Sequence, residues 1–65
     1  MLETKFGPLG SLVGRTFERD GMTRRISWLG ILRANIHYYD RRRVEHVAPI
    51  RHFVSWLSGA TEVTG

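Results

Sequence analysis

The apolar positions between Pro49 and Gly59 repeat with the period of a helix. They are Ile50, Phe53, Val54 and Leu57. Positions spaced i, i+3, i+4 and i+7 share a narrow arc of one helix face. Pro49 suits the first helical turn, and Gly59 suits a left-handed residue just past the end. The pattern predicts a helix over residues 49–58. Because a helix this short is unstable alone in water, we expect it to cover a sheet.

The residues before the helix alternate with the two-residue period of strands. Residues 12–19 predict a first strand, with a bulge at Gly14, where the alternation is imperfect. Asp20-Gly21 then predicts a tight hairpin turn, since both residues tolerate positive φ. The returning strand spans residues 22–32, and we expect Trp28 to lie in the core.

Two further strands are predicted over residues 36–39 and 44–47, joined by a tip at residues 40–43. A turn over residues 33–35 precedes them. A helix is the alternative for residues 26–39, because several apolar and aromatic side chains there also have helical spacing. Gly30 and the β-branched isoleucines favour strands.

These elements predict an α+β fold: a small, strongly bent antiparallel sheet or SH3-like barrel of three to five strands, capped by one C-terminal helix. We expect one domain over residues 1–65. Its lead-in, residues 1–11, is expected to be loose from Met1 to Lys5, with Phe6 and Leu9 against the core. Residues 12–47 form the sheet, and residues 60–65 form a polar tail in which Val63 adds an edge contact.

Composition adds an electrostatic preference. The 65 residues carry a net charge of +4, with nine arginines and one lysine. The planar guanidinium suits phosphate and carboxylate groups, so the partner we expect is nucleic acid or an acidic or nucleic-acid-binding protein complex. A domain this small is near the lower limit for folding unaided, which makes a homodimer a further expectation.

Several classes of protein are not indicated by the sequence. The chain has no cysteine, hence no disulfide framework or thiolate metal site. No apolar run is long enough for a membrane span, and no signal-peptide pattern is present. We therefore expect no membrane partner and a location in the cytoplasm, which the resemblance described below implies is that of a host cell.

The densest candidate site is the stretch from Tyr38 to Arg43. Three consecutive arginines, Arg41, Arg42 and Arg43, suit phosphate contacts, and Tyr39 suits base stacking. Tyr38 shares strand parity with Ile36 and is expected in the core. Further arginines near turns would extend the basic surface if the two hairpin tips meet at one edge: Arg24, Arg25 and Arg33. The alternative is that the arginine run is only a solvated loop.

Two helix residues lie off the apolar stripe. His52 and Trp56 are four positions apart on one flank. A partly exposed Trp is a frequent contact residue in binding interfaces. The alternative is that Trp56 packs over a strand edge.

Catalytic and metal-binding patterns are weak. The three histidines, His37, His46 and His52, lack metal-ligand spacing, and Ser55, His52 and Asp40 lack the context of a catalytic triad. The glycines are scattered, so no phosphate-binding loop is present. We expect a non-enzymatic protein with no cofactor.

The order of features resembles that of small proteins encoded by phages and prophages. The residues concerned are Val13-Gly14-Arg15-Thr16-Phe17, Asp20-Gly21, Arg25-Ile26-Ser27-Trp28, Asn35-Ile36-His37-Tyr38-Tyr39 and Ile50-Arg51-His52-Phe53-Val54-Ser55-Trp56-Leu57. The resemblance covers residues 12–60 and implies a mobile-element origin and a binding role.

Three functional hypotheses follow. The first is a basic module that binds nucleic acid through the arginine-rich hairpin surface. The second is a phage-encoded inhibitor, such as an anti-CRISPR protein, or an assembly factor that binds a host or phage protein complex. The third is a homodimeric structural protein of a virion. The arginine cluster favours the first.

Overall fold

The protein contains one antiparallel five-stranded sheet, a two-stranded sheet and one helix near the C-terminus. The structure, a computed structural model, describes residues 3–64. The elements in chain order are β1 (Glu3–Thr4), β2 (Gly7–Pro8), a 3-10 helix (Leu9–Leu12), β3 (Thr16–Arg19), β4 (Met22–Gly30), β5 (Asn35–Tyr39), β6 (Glu45–Pro49), α1 (Ile50–Leu57) and β7 (Thr61–Val63). The α+β prediction is confirmed, and residues 26–39 contain strands rather than a helix.

The five-stranded sheet is open. Its strand order is β6-β5-β4-β3-β7, and the pairing is antiparallel throughout. Within residues 3–64, β6 and β7 each pair with one neighbour and do not pair with each other. The SH3-like barrel is therefore not confirmed.

The first hairpin and the Gly14 bulge are confirmed. Asp20 and Gly21 have φ of 52° and 80°, the left-handed geometry of a two-residue hairpin turn. Gly14 has a φ of +88°, and its N–H donates to the carbonyl of Ile26 (2.7 Å), whose own N–H donates to the carbonyl of Arg15 (3.1 Å). Gly14 and Arg15 thus both lie opposite Ile26, which is a β-bulge with glycine at its first position.

The first strand is shorter than predicted. It begins at Thr16 rather than at residue 12, because the Leu9–Leu12 segment forms a 3-10 helix that buries both of its leucines. The lead-in also contains the β1–β2 pair, so Glu3 and Thr4 are ordered, contrary to expectation. Met1 and Leu2, also expected to be loose, lie outside the described residues.

A second bulge reverses the predicted position of Trp28. Ile26 pairs with Tyr38, but Trp28 pairs with His37, so β4 has one extra residue at Ser27. The Ser27 hydroxyl donates to the carbonyl of His37 (3.2 Å). The extra residue shifts the alternation, which turns Trp28 out to solvent with 58% of its surface exposed. The prediction that Trp28 lies in the core was wrong.

The core lies between the sheet and α1. Ile50, Phe53 and Leu57 of the predicted stripe are buried, and Val54 is half-buried. The other buried apolar residues are Leu9, Leu12, Phe17, Ile26, Ile36, Tyr38 and Ala60. Phe6 packs against Phe17 with ring centroids 4.8 Å apart. The predicted packing of Phe6, Leu9 and Tyr38 is therefore confirmed.

The ends of α1 differ slightly from the prediction. Pro49 ends β6, and the helix begins at Ile50, whose N–H donates to the carbonyl of Ala34 (2.9 Å). Gly59 does not have the left-handed conformation predicted for it. It leaves room for Arg19 instead, since a Cβ there would lie 2.8 Å from the guanidinium carbon. Arg19 donates to the carbonyls of Ser55 (3.3 Å) and Trp56 (3.0 Å).

The predicted tail forms a strand. β7 pairs with β3, with Phe17 opposite Glu62, so Val63 makes the predicted edge contact. Arg15 donates twice to the Glu62 carboxylate, at 2.8 and 2.7 Å. These bonds lower the pKa of Glu62 and raise that of Arg15. Gly65 lies outside the described residues. No helix of residues 3–64 has the length and apolar character that a membrane crossing requires.

Candidate functional site

The two hairpin turns predicted to carry the basic surface lie at the same end of the sheet. β3 and β5 run in one direction and β4 and β6 in the other. The β3–β4 turn and the β5–β6 turn therefore project from one edge, which we call the basic end. Pairing of β4 with β5 starts at Arg25 and Tyr39, so Met22 to Arg24 extend beside the β5–β6 turn. The two predicted hairpin tips therefore lie at one end of the sheet, with Arg24 and Arg25 on its opposite faces.

Asp40 organises the β5–β6 turn. Its Oδ1 accepts hydrogen bonds from the backbone N–H groups of Arg42 (2.8 Å) and Val44 (3.0 Å), and His46 Nε2 donates to its Oδ2 (2.8 Å). The bond from His46, followed by the bond from Val44, lowers the pKa of Asp40. Arg43 has a φ of 65°. The carboxylate therefore fixes the turn internally while the three arginine side chains remain exposed.

A shallow outer groove lies on the side of the sheet away from α1. Its volume is about 460 Å³. Arg25, Tyr39, Arg41 and Arg43 line this outer groove together with Thr16, Thr23 and Asp40. Arg25 and Tyr39 are direct cross-strand neighbours, and Tyr39 is 39% exposed. Guanidinium groups and an exposed ring are thus presented together, an arrangement that can bind phosphates and stack on a flat ring.

A second groove, which we call the inner groove, lies on the α1 side of the basic end and has a volume of about 480 Å³. Its lining includes Arg24, Tyr38, Arg41, Arg42 and His46. Tyr38 stacks on His46 at 5.2 Å between ring centroids and an interplanar angle of 17°. Arg24 therefore does not extend one track with Arg25, because adjacent strand residues point to opposite faces.

Trp56 packs against Arg24. The Arg24 guanidinium carbon lies 4.5 Å from the Trp56 ring and 4.6 Å from the Tyr38 ring, and Trp56 also contacts Phe53 at 5.5 Å. Arg24 Nε is buried without a hydrogen-bond partner among residues 3–64. The faces of these rings stabilise the Arg24 guanidinium through cation–π interactions. Trp56 is therefore half-buried beneath the inner groove.

Two of the predicted site residues lie elsewhere. Arg33 is in the turn between β4 and β5, at the end of the sheet opposite the basic end, beside Pro49 and Arg51. His52 is exposed in the first turn of α1, which starts at that same opposite end. Neither can contribute to a compact site with the tip arginines.

The outer face also carries aromatic residues that the sequence does not indicate as site residues. Trp28 and His37 are cross-strand neighbours there, with ring centroids 4.8 Å apart in an edge-to-face arrangement. The only sequence feature that could have indicated this is the polar Ser27 between Ile26 and Trp28, and a polar residue in a strand does not by itself predict a bulge.

Four carboxylates lie at or beside the basic end, and two of them, Glu18 and Glu45, are on the outer face opposite Thr23 and Tyr39. Asp40 is engaged in its own turn and with His46. Asp20 lies 3.8 Å from Arg19, which already binds the end of α1. The six arginines at this end, Arg19, Arg24, Arg25 and the three of the β5–β6 turn, outnumber the four carboxylates, so the net charge there is positive.

No group of three or more histidine or carboxylate side chains is placed to hold a metal ion in residues 3–64. Comparison of the chain with protein-family models, curated proteins and solved structures gives no match.

Proposed function

We propose that this chain is a non-enzymatic nucleic-acid-binding protein that contacts phosphates with the arginines of its basic end. The observation that carries the proposal is the placement of both hairpin turns at one end of the sheet. That placement brings Arg25 of one hairpin to the same groove as Arg41 and Arg43 of the other. Arg42 extends the surface towards the inner groove.

The internal hydrogen bonds of the turn favour this function over a merely solvated loop. Asp40 satisfies two backbone N–H groups, which fixes the backbone that carries the arginines. A preordered turn loses less conformational entropy when its arginines bind phosphate. In a host cell, which we propose as the site of action, abundant anionic strands are available to such a surface.

The test is a titration of labelled nucleic acid at two salt concentrations, comparing two double variants of equal charge. Arg41→Gln with Arg43→Gln changes the basic end, whereas Arg33→Gln with Arg51→Gln changes the opposite end. Each phosphate contact contributes a slope of about 0.7 to 0.9 in the logarithm of affinity against the logarithm of salt concentration. We expect the first variant to lose about tenfold or more in affinity and to reduce the slope by roughly one to two.

The opposite-end variant is the matched control, because it has the same net charge and leaves both grooves unchanged. It should retain affinity within about twofold, since long-range charge effects are screened beyond about 8 Å at physiological salt. Equal losses in the two variants would mean that binding follows net charge and not the basic end. Affinity that is independent of salt would contradict phosphate binding altogether.

A second candidate function has separate support. Ile31 and Leu32, in the turn opposite the basic end, are 75% and 101% exposed. Exposed apolar clusters are typical of protein-binding surfaces, which supports the phage-encoded inhibitor or assembly factor. The titration separates the two functions. A chain that binds no strand, yet retains a protein partner after nuclease treatment and loses it on Leu32→Ser, would favour the second.

A further inference from the structure

The outer face of the five-stranded sheet has no covering layer among residues 3–64. α1 and the 3-10 helix pack on the other face, where Phe17, Ile26 and Ile36 are buried. On the outer face, the central strands carry Tyr39, His37 and Trp28. Trp28 is 58% exposed and Tyr39 is 39% exposed. Exposed tryptophan and tyrosine side chains are enriched among the residues that dominate binding interfaces.

The three rings form a row that starts at the basic end. Tyr39 and His37 are two residues apart on β5, which places them roughly 6.6 Å apart on one face. Trp28 is the cross-strand neighbour of His37. We call Tyr39, His37 and Trp28 the aromatic row. Arg25 lies across from Tyr39, and Arg41 and Arg43 lie beyond it in the outer groove. The row is therefore continuous with the arginines.

The local packing fixes the Trp28 ring in place. A Cβ at Gly30 would contact the Trp28 ring at 3.1 Å and would also overlap the Asn35 side chain. Glycine at this position thus leaves space for the indole against the sheet. His37 meets its edge from the neighbouring strand, and Glu45 lies 3.5 Å from His37 Nδ1 on the far side. The ring is an ordered platform with one open side.

We propose that the outer face binds single-stranded nucleic acid, with bases stacked on the aromatic row and phosphates held by Arg25, Arg41 and Arg43. This inference depends on the proposed function of the basic end and adds the class of strand. Its basis is the charge complementarity between a polyanion and the arginines that adjoin the row, together with the flat, exposed rings. Unpaired bases stack on aromatic side chains with little dependence on sequence.

A duplex fits this face less well. Its bases are stacked on one another inside the helix, so the aromatic row could not reach their faces. A duplex would contact only the arginines at the basic end. The outer face therefore predicts a preference for single strands, and the preference should disappear when the rings are removed.

Tryptophan fluorescence provides a direct test. The Trp56→Phe variant leaves Trp28 as the one indole in the chain. Titration with a thymine or uracil homopolymer of about twelve nucleotides should quench its emission, because the exposed ring becomes covered by a base. A duplex of the same length should bind with less quenching. Binding of the single strand, detected by anisotropy of a label on it, without any quenching would overturn the inference.

The affinity of ring variants provides the second measurement. Tyr39→Ala and Trp28→Ala should each weaken single-strand binding by roughly 5- to 100-fold and leave the weaker duplex binding within about twofold. Tyr39→Phe should retain most of the affinity, since stacking needs the ring and not the hydroxyl. Circular dichroism and thermal unfolding establish that the variants are folded. Leu32→Ala, an exposed apolar change outside the row, is the matched control.

The possible failures are distinguishable. If single strands and duplexes bind equally and the ring variants have no effect, while the Arg41 and Arg43 variant still loses binding, only the inference fails. If the arginine variant has no effect either, the proposed function fails with it. The third outcome is that no nucleic acid quenches Trp28, while a protein partner that survives nuclease treatment is lost equally in Leu32→Ala and Trp28→Ala. The outer face then binds a protein instead.

Discussion

At the scale of single residues, the arginines of this chain have different roles despite their identical chemistry. Arg15 pairs with Glu62, Arg19 binds carbonyls at the end of α1, and Arg24 lies between aromatic rings. Their charges are already committed to the fold. The other six arginines are exposed: Arg25 and the three of the β5–β6 turn at the basic end, and Arg33 and Arg51 at the opposite end.

Glycine is needed at position 59 because the Arg19 side chain packs against it, and not because of its own backbone conformation. Its φ lies outside the left-handed region, so alanine is compatible with the backbone there. Gly59→Ala would, however, displace the Arg19 guanidinium from the carbonyls of Ser55 and Trp56. We expect a loss of about 0.5 to 1.5 kcal/mol in the free energy of unfolding, the usual net contribution of a hydrogen bond. Urea denaturation measures it.

A double-mutant cycle with Arg19→Ala isolates this cause. In the Arg19→Ala background no guanidinium opposes the added methyl group. Gly59→Ala should then be neutral or stabilising by about 0.4 to 1 kcal/mol, because alanine lowers the entropy of the unfolded chain. An equal destabilisation in both backgrounds would show that the backbone at position 59, and not Arg19, requires glycine.

At the scale of elements, the β5–β6 turn depends on an ionised Asp40. The pKa of Asp40 is lower in the folded state than its ordinary value, as is that of Glu62. The stabilisation from both groups is complete above the unfolded value, about 4, and is lost as the pH falls through the folded values. We expect the melting temperature to fall progressively below about pH 4, as measured by circular dichroism.

Asp40→Asn is the variant that assigns part of this dependence to the turn. An amide oxygen can still accept from the N–H groups of Arg42 and Val44, but the charge that pairs with His46 is lost. The melting temperature should be lower than that of the parent chain near pH 6, and the acid-induced decrease should be smaller. Identical pH profiles for parent and variant would show that Asp40 does not contribute to the acid transition.

The elements themselves could largely be predicted from local sequence. Asp20-Gly21 indicated the first hairpin, the stripe of Ile50, Phe53 and Leu57 indicated α1, and Gly14 indicated a bulge. The bulge at Ser27 could not be predicted, because serine fits either strand parity and only the pairing partner decides which residue is extra. The wrong prediction for Trp28 follows directly from this extra residue, which no feature of the sequence indicates.

At the scale of the whole molecule, two different surfaces lie at opposite ends of the five-stranded sheet. The basic end contains both hairpin turns, whereas the opposite end carries Ile31, Leu32 and the start of α1. Consecutive antiparallel strands put the first and third turns at the same end, but only the strand order brings those two turns close to each other. The sequence predicts that Arg33 extends the basic surface and that His52 lies beside Trp56 on α1, and the topology places both Arg33 and His52 at the end opposite the tip arginines.

The pairing of β3 with β7 has a consequence for how the chain assembles. β3, β4 and β5 are joined by short turns and can pair through local contacts, but Phe17 meets Glu62 from the far end of the chain. Pairing of strands that are distant in the sequence is slow, because the chain between them loses conformational entropy before the contacts form. We expect β7 to dock last: Val63→Ala should accelerate unfolding with little effect on refolding in stopped-flow experiments, whereas a marked slowing of refolding would place β7 in the folding nucleus.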